Sequence, residues 1–167
     1  YQTALTVEGK IGNFDLLYSG GYFQRRVSNV VDYADYTLAY DYYGSGYTHF
    51  ANPSGTYLAD PTQYTVNKDK YTKLSHEIRL STPQDNRLRA VVGPFYQRQT
   101  DAIRVEFTVD GLPANNWVTG QRNVLYLSDQ DRIDRDKAVF TELNFDLTDS
   151  TKLTGGIRKF YSDNTLY

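Results

Sequence analysis

The chain of 167 residues has no cysteine and no methionine, a single tryptophan and two histidines. Without cysteine there is no disulfide framework and no thiolate metal site. With only His49 and His76, and no metal-ligating partner at short spacing from either, a transition-metal centre has too few ligands. The lack of methionine leads to the expectation that the chain is a processed product or an internal piece of something longer. It opens in a strand-like run (Tyr1 to Val7) and closes in another (Ile157 to Tyr167). No apolar run approaches the roughly 20 residues of a membrane-spanning helix. That excludes helical membrane proteins only, because a membrane barrel is built from alternating segments that leave no hydropathy peak. A mean hydropathy of −0.61 is therefore compatible with either home. The net charge of −2 offers no broad basic field, and nucleic acid is not an expected partner.

What is abundant is tyrosine, with 16 residues against eight phenylalanines. Tyrosine suits membrane-interface girdles, ligand-binding loops and ordinary β-proteins alike. The more informative signal is period-two alternation, the mark of a strand with one apolar side. It is clearest from Lys73 to Gln99. Leu74, His76, Ile78 and Leu80 alternate with Lys73, Ser75, Glu77, Arg79 and Ser81. After a turn at Pro83–Arg87, Leu88, Ala90, Val92, Pro94 and Tyr96 alternate with Arg89, Val91, Gly93, Phe95, Gln97 and Gln99. A second pair repeats the pattern: Val139, Thr141, Leu143, Phe145 and Leu147 in one arm, Leu153, Gly155, Ile157, Lys159 and Tyr161 in the other. Thr3 to Glu8 and Phe14 to Gln24 read as two further strands. One face of these strands carries too much charge for a dry core, since unpaired buried charge costs several kcal/mol. The other face needs a cover, either a second sheet or lipid.

Between the strand pairs the alternation stops. Arg25 to about Tyr71 is one long connection, with a helix expected over Val30–Tyr40. Asp101 to Asp136 is another, with a short strand at Val124–Leu127. Tight turns within pairs and long connections between them match a membrane barrel, with short periplasmic turns and longer extracellular loops. A sandwich distributes moderate loops over both ends.

Two segments carry a resemblance. HEIRLSTPQDNRLRAVVGPFYQRQ and VFTELNFDLTDSTKLTGGIRKFYSDNTLY resemble the barrel of a TonB-dependent outer-membrane receptor, whose members commonly show "QEIRLSS", "LRWVAGLFYQ" and "FGELSYDLTDKLTLTAGLRY". Phe14 to Tyr22 echoes a third such strand. The resemblance implies a plugged barrel of about 22 strands. This chain (1–167) would supply about six of them, as an antiparallel up-and-down meander: an all-β, partial transmembrane β-barrel with two long extracellular loops. It also implies active uptake of a scarce solute such as an iron siderophore, cobalamin or a glycan. The implied partners are outer-membrane lipid, that solute, and the TonB complex acting through a plug domain that this chain lacks. The resemblance likewise implies a carboxy-terminal insertion strand that is not expected among these 167 residues. Three residues depart from the family pattern: Pro94 removes a ladder donor, Lys159 stands where an aromatic is usual, and His76 replaces a common Gln.

No catalytic chemistry, resident cofactor or metal is expected. Ser19-Gly20-Gly21 and Gly44-Ser45-Gly46 are not nucleophile elbows. Asp129, Asp131, Asp134 and Asp136 resemble half a calcium loop but lack its sixth-position Gly and closing Glu. Glu77 and Glu142 form a conceivable glycosidase pair, better explained as charges facing a wet barrel interior. Candidate ligand contacts are Tyr42, Tyr43, Tyr47 and His49, clustered near Gly44 and Gly46. The alternative function is a soluble or surface-attached carbohydrate-binding β-sandwich. The two readings differ in what covers Leu74, Ile78, Leu80, Leu88, Val92, Leu143 and Ile157.

Overall fold

The computed structural model describes residues 1–36 and 62–167. The four loop candidates Tyr42, Tyr43, Tyr47 and His49 lie outside the described residues. Among the described residues six strands form one antiparallel sheet: β1 (Gln2–Ile11), β2 (Phe14–Asp32), β3 (Gln63–Ser81), β4 (Leu88–Val109), β5 (Val124–Thr148) and β6 (Thr151–Leu166). Their order in the sheet is the order of the chain, an up-and-down meander with β1 and β6 at its open edges. The all-β class expected from the alternation, and the six-stranded antiparallel meander that the resemblance implies, are what the described residues adopt.

The turns are built by residues suited to them. Gly12 has φ +61, a left-handed conformation that costs glycine nothing, and it closes β1 onto β2. Between β3 and β4, the Thr82 hydroxyl accepts from the Ala90 amide at 2.9 Å while the Thr82 amide donates to the Ala90 carbonyl. Ser150 donates its amide to the Thr148 hydroxyl in the last turn.

Four strands are longer than their alternation suggests. β2 continues from Gln24 to Asp32, so Val30–Asp32 are strand, and among the described residues of the expected helix only 34–36 are helical. The Asp32 carboxylate accepts from the Ala34 amide at 2.8 Å and caps that turn. β3 begins at Gln63 and β4 continues to Val109. The expected short strand at Val124–Leu127 is the start of β5, which runs unbroken to Thr148. The connections are therefore 33–62 and 110–123, and the second is much shorter than the expected Asp101–Asp136. Pro94 does not break β4.

The chain forms two compact units. The first comprises Tyr1–Arg25, Tyr71–Asp101 and Arg132–Tyr167; the second comprises Arg26–Lys70 and Ala102–Asp131. All three tight turns belong to the first unit and both long connections to the second. The second unit has a small apolar core of its own. Val109 and Leu112 are sealed from solvent, with Trp117 and Leu125 packed on them. The Trp117 indole N–H donates to the Leu112 carbonyl at 2.6 Å, so the half-buried ring has no orphaned donor. Gly111 and Gly120 (φ +76 and +77) turn the chain around this core. Tyr33 and Tyr126 each stack edge-on against Phe107 in the same unit.

Candidate functional site: two chemically distinct faces

In the first unit the sheet has no comparable core, and its two faces differ in chemistry. The β1–β2 register pairs Leu5 with Gly20, Val7 with Tyr18 and Ile11 with Phe14 on one face, and Glu8 with Leu17 and Lys10 with Asp15 on the other. The β5–β6 register pairs Thr141 with Ile157, Leu143 with Gly155 and Phe145 with Leu153 on one face. On the other it pairs Glu142 with Gly156, Phe140 with Arg158 and Asp136 with Ser162.

Side-chain contacts carry each face across the intervening strands. On the apolar face the Tyr18 hydroxyl meets His76 Nδ1 at 2.8 Å, and the His76 ring stacks on both Tyr18 and Tyr96. Leu74, Ile78 and Leu80 alternate in phase with His76, and Leu88, Ala90, Val92 and Pro94 in phase with Tyr96. On the polar face the Arg89 guanidinium holds both Asp146 oxygens, at 2.5 and 2.6 Å, in a bidentate fork. Gln97 donates to Asp136 on the same face.

The apolar face is uncovered. Leu5 and Val139 are each 58% exposed and Ile157 is 71% exposed; Leu74, Ile78, Leu88, Val92 and Leu143 are exposed as well, and Leu80 is half-buried. Among the described residues there is one sheet, and nothing lies over this face. Leu88 to Tyr96 spans about 27 Å along β4, or about 20 Å in height if the strand is tilted by about 40°.

Many charges of the polar face are paired within it. Glu77 pairs with Arg79, and Lys10 with Asp15 at 3.3 Å. Asp136 accepts from Ser162 and Gln97, and Asp134 from Asn164 and Arg132. Asn144 donates to Glu142 and accepts from Thr154. Aromatic residues punctuate this face: the Arg158 guanidinium lies 4.9 Å from the Phe95 ring centre, and the Phe140 ring approaches Gly93. A concavity of about 920 Å³ opens beside the turns, lined by Arg87, Asp146, Asp149 and Lys152 among others. Arg87 closes part of it by donating to the Asp146 and Leu147 carbonyls.

The catalytic and metal candidates do not assemble. Glu77 and Glu142 are each engaged by their own strand neighbours, Arg79 and Asn144. Asp129, Asp131, Asp134 and Asp136 lie along β5 and not in a loop, and three of them have protein partners; Asp129 holds Arg104 at 2.6 Å. Among the described residues no group of three His, Asp or Glu is placed to hold a metal ion. In the second unit, burial raises the Tyr64 phenol above its ordinary value, and its hydrogen bond to the Asp110 carboxylate raises it further.

Sequence reasoning missed one feature of the apolar face. Lys159 looked like an isolated departure, but the register sets it opposite Val139, with Lys137 on the same face opposite Tyr161 and Arg135 opposite Asp163. The detectable signal was phase: these basic residues share the parity of the aliphatic ones.

Comparison with known proteins returns no match to a family model, to a curated protein or to a solved structure.

Proposed function

We propose that this chain forms part of the wall of an outer-membrane β-barrel of the TonB-dependent receptor type, serving active uptake of a scarce solute such as an iron siderophore, cobalamin or a glycan. The observation that carries the reading is the apolar face of the first unit, uncovered among the described residues and continuous across the sheet, backed by a face that carries charges of both signs, many of them paired. A sheet with this division matches a wall between hydrocarbon and a wet lumen, where outward and inward residues alternate. In this reading the tight turns face the periplasm, and connections 33–62 and 110–123 face outward. Lys137, Lys159 and Tyr161 then lie at the upper edge of the lipid-facing band, where long cationic side chains reach headgroups and tyrosines form a girdle. Open strand edges are not tolerated in hydrocarbon, so β1 and β6 pair with further strands of the same barrel. Solute contacts come from Tyr42, Tyr43, Tyr47 and His49, because tyrosine offers flat apolar area and a hydroxyl at low entropic cost. The TonB complex acts through a plug domain, and the chain itself performs no covalent chemistry.

A soluble carbohydrate-binding sandwich needs a second sheet over the same face, and the described residues form only one. Flotation with vesicles of outer-membrane lipid separates the two: a barrel wall rises with the vesicles, and a sandwich stays in the dense fraction.

A further inference from the structure

The two faces of the first unit differ in charge balance as well as in polarity. The polar face mixes both signs: Lys10–Asp15, Arg79–Glu77, Arg89–Asp146 and Arg132–Asp134 are paired, while Lys73 and Arg158 stand among these carboxylates without an ion pair of their own among the described residues. On the apolar face the charged residues are Arg98, Arg135, Lys137 and Lys159, with Asp163 the one carboxylate. Asp163 is taken by Arg135 at 3.3 Å. The side chains of Arg98, Lys137 and Lys159 make no hydrogen bond or ion pair among the described residues.

These cations are gathered in one place. Lys137 faces Tyr161 and Lys159 faces Val139, so the two lysines are diagonal neighbours across the β5–β6 pair, roughly 7–8 Å apart at the backbone. Gln97 bonds to Asp136 across β4 and β5, which brings the next residue, Arg98, alongside Arg135 on the opposite face. Like charges this close repel, and among the described residues no carboxylate pairs with Arg98, Lys137 or Lys159. Toward the β5–β6 turn the same face becomes wholly uncharged: Thr141 and Ile157, then Leu143 and Gly155, then Phe145 and Leu153. A Cβ built on Gly155 would meet nothing within 4 Å, so a flat notch lies beside Leu143.

We propose that Arg98, Lys137 and Lys159 bind the anionic phosphate headgroup of a membrane lipid, whose acyl chain lies over Val139, Ile157 and the Gly155 notch. The occupant is identified by complementarity: excess positive charge at one end of a strip, bare hydrocarbon below it. A lipid with an uncompensated phosphate has that division, whereas a free anion has no use for the strip. This inference rests on the lipid-facing reading of the apolar face.

The test compares vesicles of phosphatidylcholine, whose choline offsets its phosphate, with vesicles containing phosphatidylglycerol. Wild type, Lys137→Gln/Lys159→Gln, and the charge-matched control Lys10→Gln/Lys152→Gln are measured by flotation, with β-structure checked by circular dichroism. The expected result is tighter binding of wild type to the anionic vesicles. The preference falls about fivefold per lysine, roughly 25-fold for the pair, from the usual ~1 kcal/mol per basic residue. Binding to phosphatidylcholine is unchanged, and the control keeps the preference. Equal losses in the two double variants would overturn the proposal, leaving only diffuse charge attraction. Displacement by millimolar inorganic phosphate would overturn it in favour of a free anion. Failure of wild type to float with phosphatidylcholine would instead remove the lipid-facing reading, and the site with it.

Discussion

Leu143 is the position at which lipid and water exposure make the most different demands. It is exposed, faces Gly155 across the β5–β6 pair, and has Thr141, Phe145, Leu153 and Ile157 around it on the same face. Lys137 is six residues away along β5, about 20 Å at strand rise, and a lysine at 143 could not extend to that charged rim. In water, Leu143→Lys places a charge where solvent already reaches, and the change falls in the range of about ±0.5 kcal/mol typical of surface substitutions. At mid-depth in hydrocarbon the same change costs about 2–4 kcal/mol, roughly 30- to 1,000-fold in the folded, membrane-inserted population. The matched control is Thr6→Lys, exposed on the polar face opposite Ser19, which is near neutral in either setting. Urea titration of the chain in phosphatidylcholine vesicles, followed by far-ultraviolet circular dichroism, reads both variants against wild type. A loss for Leu143→Lys no larger than that for Thr6→Lys would refute the assignment of this face to lipid.

Other consequences are local. Gly93→Ala drives a Cβ into the Ile78 carbonyl oxygen and to 2.9 Å from the Phe140 ring; overpacking of this kind costs about 1–3 kcal/mol, and Phe140→Leu should not rescue it because the nearer atom is backbone, as urea titration of the single and double variants would show. Leu112→Ala, at a residue 2% exposed beneath Trp117, should destabilise the second unit by about 2–5 kcal/mol and red-shift the fluorescence of the chain's one tryptophan. Tyr64 should deprotonate late in an absorbance titration, and Asp110→Asn should bring it back toward the ordinary value of 10.0. Its folded-state value is raised, so its contribution to stability is complete below about pH 10 and is lost as pH rises through the elevated value. Replacing Tyr42, Tyr43 and Tyr47 together by Ala should weaken solute binding while leaving flotation unchanged.

The sequence was most legible where one side of a strand is apolar. Leu74–Leu80, Leu88–Tyr96 and Val139–Phe145 alternate cleanly, and the strands lie where the pattern put them. It was least legible where a strand has polar residues on both sides. Asp129–Asp136 carries charge at nearly every position and has no apolar phase, so it read as a connection; in the structure the ladder and pairs such as Asp129–Arg104 and Arg135–Asp163 hold it extended. Asn67–Lys70 was lost for the same reason. Backbone hydrogen bonding does not need a greasy face, and hydrophobic periodicity records only the part of a strand that has one. Val30, Val31 and Ala34 suggested a helix because short apolar runs do not distinguish the two periods. The cationic cluster at Arg98, Lys137 and Lys159 needed the inter-strand register, which no single strand encodes.

Because the chain has no cysteine, every introduced one is a unique reporter, and a scan of single cysteines from Ala138 to Asp146 addresses the division of the sheet into two faces. Each would carry a fluorophore, in phosphatidylcholine vesicles, and be challenged with a lipid-borne and an aqueous quencher. Positions 139, 141, 143 and 145 should be quenched from the lipid, and 138, 140, 142, 144 and 146 from water, in strict alternation. Uniform aqueous quenching, or shielding of the odd positions from both quenchers, would contradict it.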